Sequence, residues 1–264
     1  MNLKDKVVVV TGGAGGIGAA LGERFAAEGA RAVVLADRDG DRAVAAAAGI
    51  GPAARGVEVD VAHDGAVREM VDDVEKHEGP IDLYCANAGV GFGTGIESPD
   101  GEWNEVWRVN VMSGVIAARV MVPRWIERGG GYLVITASAA GLLTSLGDAA
   151  YSATKHAAVG LAESIWIAYG DQGVKVSCIC PQGVRTNMTM GAHAEGHIGI
   201  TQVRALGLIE PEVVADALIE GLADERFLIL PHPQALEYFR AKAENYGRWL
   251  GGMRKFQRKL RSDS

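Results

Sequence analysis

Tyr151 and Lys155 stand four residues apart in the segment YSATK. On a helix that spacing puts a phenol and an ammonium on one face. The cation favours the phenolate, so a tyrosine that alone titrates near ~10 moves toward working pH, and an oxidised nicotinamide ring would add a second positive charge. A phenolate so placed can exchange a proton with a hydroxyl group. Far upstream, Thr11-Gly12-Gly13-Ala14-Gly15-Gly16-Ile17-Gly18 follows an apolar run and leads into helically spaced Ile17, Leu21 and Phe25. Glycines let the backbone approach a pyrophosphate there, and the free N–H groups of a helix start carry partial positive charge. Asp37 ends a second apolar run nineteen residues past Gly18. A carboxylate at that point accepts hydrogen bonds from both ribose hydroxyls of a dinucleotide and repels a 2′-phosphate, which favours NAD over NADP. The adjacent Arg38 could grip such a phosphate, so an NADP-dependent carbonyl reductase is the alternative, although no Lys or Arg lies within the glycine string itself.

These residues need a scaffold. Apolar runs of strand length recur at residues 6–11, 32–37, 56–60, 81–87, 132–138, 174–180 and 226–230. Stretches with helical spacing lie between most of them, for example Val67, Met70, Val71 and Val74 after the third run and Val106, Val109, Met112 and Ile116 after the fourth. Continuous rather than alternating apolarity marks strands covered on both faces. The pattern therefore predicts an α/β fold, a doubly wound parallel sheet of about seven strands with right-handed crossovers. Residues 1–233 form the sheet domain, within which residues 187–209, without strong periodicity and rich in glycine, read as a substrate lid. Residues 234–264 read as an amphipathic helical extension, with Leu236, Phe239, Ala243, Tyr246, Leu250, Met253 and Leu260 mostly three or four apart and Gly247, Gly251 and Gly252 weakening it.

Composition narrows the function. Of 264 residues, 48% are apolar and 22% charged, which excludes disorder as the main state. A net charge of −7 repels a phosphate backbone and argues against general nucleic-acid binding. The first residues carry charges and only a short apolar run, unlike a signal peptide or a membrane span, so a cytoplasmic location is expected. Cys85, Cys178 and Cys180 sit inside apolar runs and read as buried reduced thiols rather than a disulfide or metal site. His193 and His197 flank Glu195 without an evident third ligand, so no metal is expected. His156 projects about 100° around the helix from Lys155 and reads as structural.

Further residues give a family resemblance. Asn87-Ala88-Gly89 after the fourth run, Asn110, Ser138, and Tyr151 with Lys155, taken with the glycine string, make the chain similar to the short-chain dehydrogenases/reductases. The string fits the pattern TGxxxGxG through Gly12, Gly16 and Gly18 but, because Gly15 is also glycine, fits TGxxGxxG as well. The Ser-to-Tyr separation of thirteen and the short chain fit the single-domain branch with a Rossmann-like fold. The resemblance implies hydride transfer between a secondary alcohol or its ketone and NAD. Asn110, Ser138, Tyr151 and Lys155 would form the catalytic set. Tyr151 would be the proton-transfer group, Ser138 would bond the substrate oxygen, Lys155 would bond the nicotinamide ribose, and Asn110 would hold a water relaying protons to solvent. Gly12, Gly15, Gly16, Ile17 and Gly18 would hold the pyrophosphate, with Asp37 on the ribose. Asp60 and Val61 would flank the adenine, Asn87, Ala88 and Gly89 would support the adenosine side, and Val184 and Thr186 would contact the carboxamide. One departure is Pro181-Gln182-Gly183, where the family usually has Pro-Gly, which puts a side chain beside the nicotinamide.

Ala139, Ala140, Leu142, Leu143, Leu146, Gln182, Met188 and Met190 are the expected substrate lining, with Arg185 near. A small-molecule partner, a neutral and fairly hydrophobic secondary alcohol or ketone, fits that set. A non-catalytic dinucleotide sensor is the reading of another class, but a sensor needs none of the Asn, Ser, Tyr and Lys set. Helices at about 102–127 and 151–170 resemble those that pair subunits in the family, so a homo-oligomer, tetramer or dimer, is expected. The tail carries eight Lys and Arg against three acids. It reads as packed on its own domain or a neighbouring subunit, with a membrane surface as the lesser alternative.

Overall fold

The computed structural model describes residues 1–191 and 196–262. Strands β1 (Val7–Thr11), β2 (Ala32–Asp37), β3 (Ala54–Glu58), β4 (Leu83–Ala86), β5 (Gly131–Thr136), β6 (Val174–Ile179) and β7 (Leu228–Ile229) form one sheet in the order β3-β2-β1-β4-β5-β6-β7. Every pairing is parallel. The Val-rich β1 is buried along its whole length, and successive side chains point to opposite faces. Val7 and Val9 pack with α3 (Asp64–Glu78), α5 (Ser113–Glu127) and α6 (Ala149–Tyr169), whereas Val8 and Val10 pack with α1 (Gly16–Ala27) and α9 (Pro211–Ala223). Two apolar layers thus enclose the sheet, as continuous apolarity requires.

The chain builds β1, β2 and β3 outward, then returns so that β4 lies beside β1. Loops leaving β1 and β4 consequently diverge, and a crevice opens at the carboxyl ends of these strands. Asp39 caps α2 (Gly40–Ile50), its carboxylate accepting the Arg42 N–H at 3.1 Å. α4 (Asp100–Trp107) runs into a widened π-turn, Arg108–Met112, before α5 begins.

Some boundaries differ from the sequence expectation. β3 lies two residues earlier than residues 56–60, because its register with β2 ends at Asp37 opposite Glu58; the Val59 N–H makes the last bond, to the Asp37 carbonyl at 2.8 Å. The seventh run contributes only two paired residues, on the other edge. The expected lid contains two helices, α7 (Asn187–Met190) and α8 (Ile198–Leu206); His193 and Glu195 lie outside the described residues. The tail is two helices rather than one. α10 (Gln234–Glu244) ends at Asn245, whose side chain then caps α11 (Tyr246–Ser262) by accepting the Arg248 N–H at 2.9 Å. Gly247, Gly251 and Gly252 are accommodated within α11. Among the described residues no helix is long and apolar enough to cross a membrane.

Candidate active site

The glycine turn sits at the mouth of the crevice. A Cβ on Gly12 (φ +66°) would crowd the Ala88 backbone and the Asn87 side-chain amide, one on Gly16 (φ +54°) the Thr186 side chain, and one on Gly18 would lie 2.0 Å from the Gly12 carbonyl oxygen. Gly15 has extended backbone and meets only the flexible Arg42 side chain. Packing thus constrains Gly12, Gly16 and Gly18, the TGxxxGxG pattern, and leaves Gly15 free. Ile17 follows, half-buried, in the first turn of α1. The Asp37 carboxylate accepts the Ala14 N–H at 3.1 Å, which holds it against the turn. Arg42, which sequence inspection does not single out, reaches the same turn from α2, its Nη2 3.4 Å from the Ala14 carbonyl. Arg38 is exposed.

Thr11 ties this turn to the next loop. Its hydroxyl accepts the Asn87 and Ala88 N–H groups at 3.0 and 3.2 Å, and the Asn87 amide donates to the Thr11 carbonyl at 2.9 Å. Gly89 lies between Asn110 and Lys155. Asp60 is exposed and pairs with Arg108 at 3.4 Å, whereas Val61 is buried. Val184 is buried and bridges to Ile209; Thr186 caps α7. A helix N-terminus, a glycine cradle that Cβ atoms would fill and a carboxylate at the end of β2 suit a dinucleotide.

Ser138, Tyr151 and Lys155 come from two elements. Ser138 leaves β5 and caps a 3-10 turn, Ala139–Gly141, by accepting the Ala140 N–H at 3.1 Å. Tyr151 and Lys155 lie on one face of α6, with the ammonium 5.5 Å from the phenol ring centre. Burial pushes the Tyr151 phenol up to about 12, opposed by a hydrogen bond with Ser138. Burial also pushes the Lys155 ammonium down to about 8, while its Nζ donates to the Thr136 carbonyl at 2.9 Å. Desolvation therefore outweighs the mutual effect of phenol and ammonium in the protein itself. Asn110, in the π-turn, accepts the Val90 N–H at 2.8 Å and donates to the Val90 carbonyl and the Thr154 hydroxyl. Its amide pins the Gly89–Val90 loop beside Lys155.

Ser138 and Tyr151 open onto a cavity of about 420 Å³. Ala139, Ala140, Leu143, Gln182 and Met188 line it as expected. Leu142 and Leu146 instead are buried in packing, and Met190 turns with Arg185 to a separate depression beside Gly16, where Arg185 pairs with Glu210 at 2.7 Å. The sequence reading missed Asp148, His197, and Tyr238, Trp249, Met253 and Phe256 of the tail, all of which line the cavity. Asp148 caps α6, accepting the Tyr151 and Gly93 N–H groups at 3.0 Å. Burial raises its pKa despite those two bonds. Its position three residues before Tyr151 is a cap signal legible in the sequence. Gln182 faces the cavity, and its amide oxygen accepts from Gln234 at 3.3 Å, while its backbone N–H donates to His232 Nδ1 at 3.1 Å. His156 is exposed, with Nδ1 2.8 Å from the Ser152 carbonyl. Cys85, Cys178 and Cys180 are buried free thiols.

A family model for short chain dehydrogenases matches residues 6–196. The chain is 38% identical over 243 residues to the 1-deoxy-11-beta-hydroxypentalenate dehydrogenase of Streptomyces exfoliatus, covering 89% of this chain and 86% of that protein. It is 36% identical over 233 residues to the meso-2,3-butanediol dehydrogenase of Serratia marcescens, covering 87% and 92%. Among solved structures, a short chain dehydrogenase/reductase from Burkholderia phymatum in complex with NAD matches with a TM-score of 0.85 and 30% identity, over 92% of this chain and 95% of that one.

Proposed function

The chain belongs to the short-chain dehydrogenase/reductase family, and we propose that it is an NAD-dependent oxidoreductase acting on a neutral, fairly hydrophobic secondary alcohol or its ketone. One observation carries the reading: the Tyr151 phenol, with Lys155 behind it and Ser138 beside it, faces an apolar cavity beside the glycine-turn crevice. Bound NAD supplies the carbon that accepts hydride and, when oxidised, a positive charge that favours the phenolate. Tyr151 takes the hydroxyl proton in oxidation and returns it in reduction. Ser138 donates to the substrate oxygen as charge develops there. Lys155 holds the nicotinamide ribose and biases Tyr151 toward its charged form. Asn110 fixes the loop beside Lys155 and supports a water on the proton path to solvent. Gly12, Gly16, Ile17 and Gly18, with Gly15, receive the pyrophosphate. Asp37 receives the ribose, Asp60 and Val61 the adenine, Asn87, Ala88 and Gly89 the adenosine side, and Val184 and Thr186 the carboxamide.

Cofactor choice turns on Asp37 against Arg42 and Arg38. Asp37 is held by the turn, whereas both arginines are exposed and Arg42 makes only a long bond, 3.4 Å, to the Ala14 carbonyl. NAD(H) is therefore expected to bind at least about tenfold tighter than NADP(H), a difference of ~1.4 kcal/mol. Fluorescence titration with both reduced cofactors, beside NADH formation from a panel of secondary alcohols, tests the whole reading. Equal affinities would favour the NADP-dependent carbonyl reductase, and binding without turnover on any alcohol would favour the sensor.

A cytoplasmic homo-oligomer, tetramer or dimer, completes the reading. Trp107 at the end of α4 and Trp166 and Ile167 on α6 are 45%, 49% and 75% exposed, an apolar surface that water disfavours at roughly 25 cal/mol per Å². Light scattering should find no monomer at micromolar concentration, and Ile167→Glu should dissociate the assembly; a monomeric parent protein would refute this.

A further inference from the structure

We infer that Lys242 is a positioning residue that latches the two C-terminal helices over the cavity, so that the tail selects bulky, mostly hydrocarbon secondary alcohols. This rests on the reading of the cavity as the substrate site, and it adds the size class and the element that sets it.

A lysine is seldom buried, because its ammonium must exchange water for good partners. Lys242 is only 6% exposed. Its Nζ donates to the Leu142 and Leu143 carbonyls at 2.6 and 3.0 Å and lies 5.4 and 5.1 Å from the ring centres of Tyr246 and Trp249. The two carbonyls end the turn that Ser138 begins, and carbonyls at the end of a helical turn lack partners of their own and attract a cation. The ammonium thus joins the Ser138 turn at one end to an aromatic pair at the start of α11 on the other.

What the latch holds follows from helical spacing. Trp249, Met253 and Phe256 are four and three residues apart on the face of α11 toward the cavity, and Leu260, one turn further, is buried. Arg248, Arg254, Lys255, Arg258, Lys259 and Arg261 are exposed. α11 packs on α8, so lid and tail close the cavity together. The bond from Gln234 to Gln182 is a second tie, to the other loop bordering the site. The cavity measures about 420 Å³. A four-carbon alcohol would leave most of this wall untouched, whereas a fused-ring alcohol would lie against it.

The test compares wild type and Lys242→Met with decahydro-2-naphthol, a bulky apolar probe, and 2-butanol, each with saturating NAD. Lys242→Met keeps length and volume but removes the donors and the charge. The expected result is at least a tenfold fall in the kcat/KM ratio of decahydro-2-naphthol to 2-butanol, through a higher KM for the bulky probe rather than a lower kcat. Phe256→Ala, which leaves the latch intact, should shift the ratio the same way and serves if Lys242→Met does not fold. A ratio within twofold of wild type in a folded variant, or equal losses on both alcohols, would overturn the inference. Calorimetric binding of decahydro-2-naphthol to the NAD-saturated protein separates it from the functional reading. If wild type turns over neither alcohol, that reading fails, yet a tenfold weaker Kd in Lys242→Met still supports the latch. No binding to wild type refutes it.

Discussion

Tyr151→Phe is expected to lower turnover by roughly 10²–10⁴-fold while NADH binds as before. The substitution keeps the ring and removes one oxygen, whose side-chain partner is Ser138. Neither the α6 packing nor the Asp148 cap at the Tyr151 backbone N–H depends on that oxygen. The loss therefore reports proton transfer. Because oxidation uses the phenolate, and burial sets the phenol at about 12 in the protein itself, the wild-type oxidation rate should climb with pH over the neutral to alkaline range. The residual rate of Tyr151→Phe should not. Steady-state rates at saturating NAD, with stopped-flow titration of NADH, measure both effects. Retention of more than about a tenth of the wild-type rate would remove Tyr151 from the role.

Lys155→Met is expected to cut turnover by at least about a hundredfold and, against the usual direction of core substitutions, to gain stability at neutral pH. Burial holds the Lys155 ammonium at about 8, below its ordinary 10.5. The unfolded chain binds this proton more tightly than the folded one, so the charged lysine costs the fold roughly 3 kcal/mol below pH 8. That cost fades as pH rises from about 8 to 10.5, above which the group is neutral in both states. Removing the lysine removes the cost; the bond to Thr136 is lost with it, and its charge-dependent part is already contained in the lowered pKa. Urea unfolding of both proteins should thus show a stability difference that favours the variant at pH 7 and shrinks toward pH 10.5. A difference that does not change with pH would mean that the ammonium is not desolvated as described. Such a residue would be kept for function at the expense of stability.

The sheet, the glycine turn, Asp37 and the Tyr151–Lys155 pair were legible in the sequence because each depends on short-range spacing. Val7 to Val10 can only be a strand covered on both faces, and residues four apart on a helix meet whatever the helix packs against. Ser138 and Asn110 carry no such local mark; they were legible through the family resemblance, and α6 brings them within one neighbourhood. The choice between the two glycine patterns needed tertiary contacts, since Gly16 is constrained by Thr186 from far along the chain and Gly15 by nothing rigid.

The tail marks the boundary most sharply. Its apolar stripe was visible as a periodicity, and periodicity determines that a helix has a face to cover. It does not determine what covers that face, nor that Asn245 would stop one helix and cap the next. In the sequence Lys242 is only one of the tail's eight basic residues, and nothing there singles out Arg42. Their positions beside the Ser138 turn and the glycine turn arise from contacts between segments distant in sequence. The sequence by itself thus determined the strands, the helices and the chemistry of the proton-transfer pair, all set by bonds and spacings within a few residues. Only the tertiary structure decided the size of the cavity, its wall of tail aromatics and the burial that moves Tyr151 and Lys155 in opposite directions, because desolvation depends on everything that packs around a group.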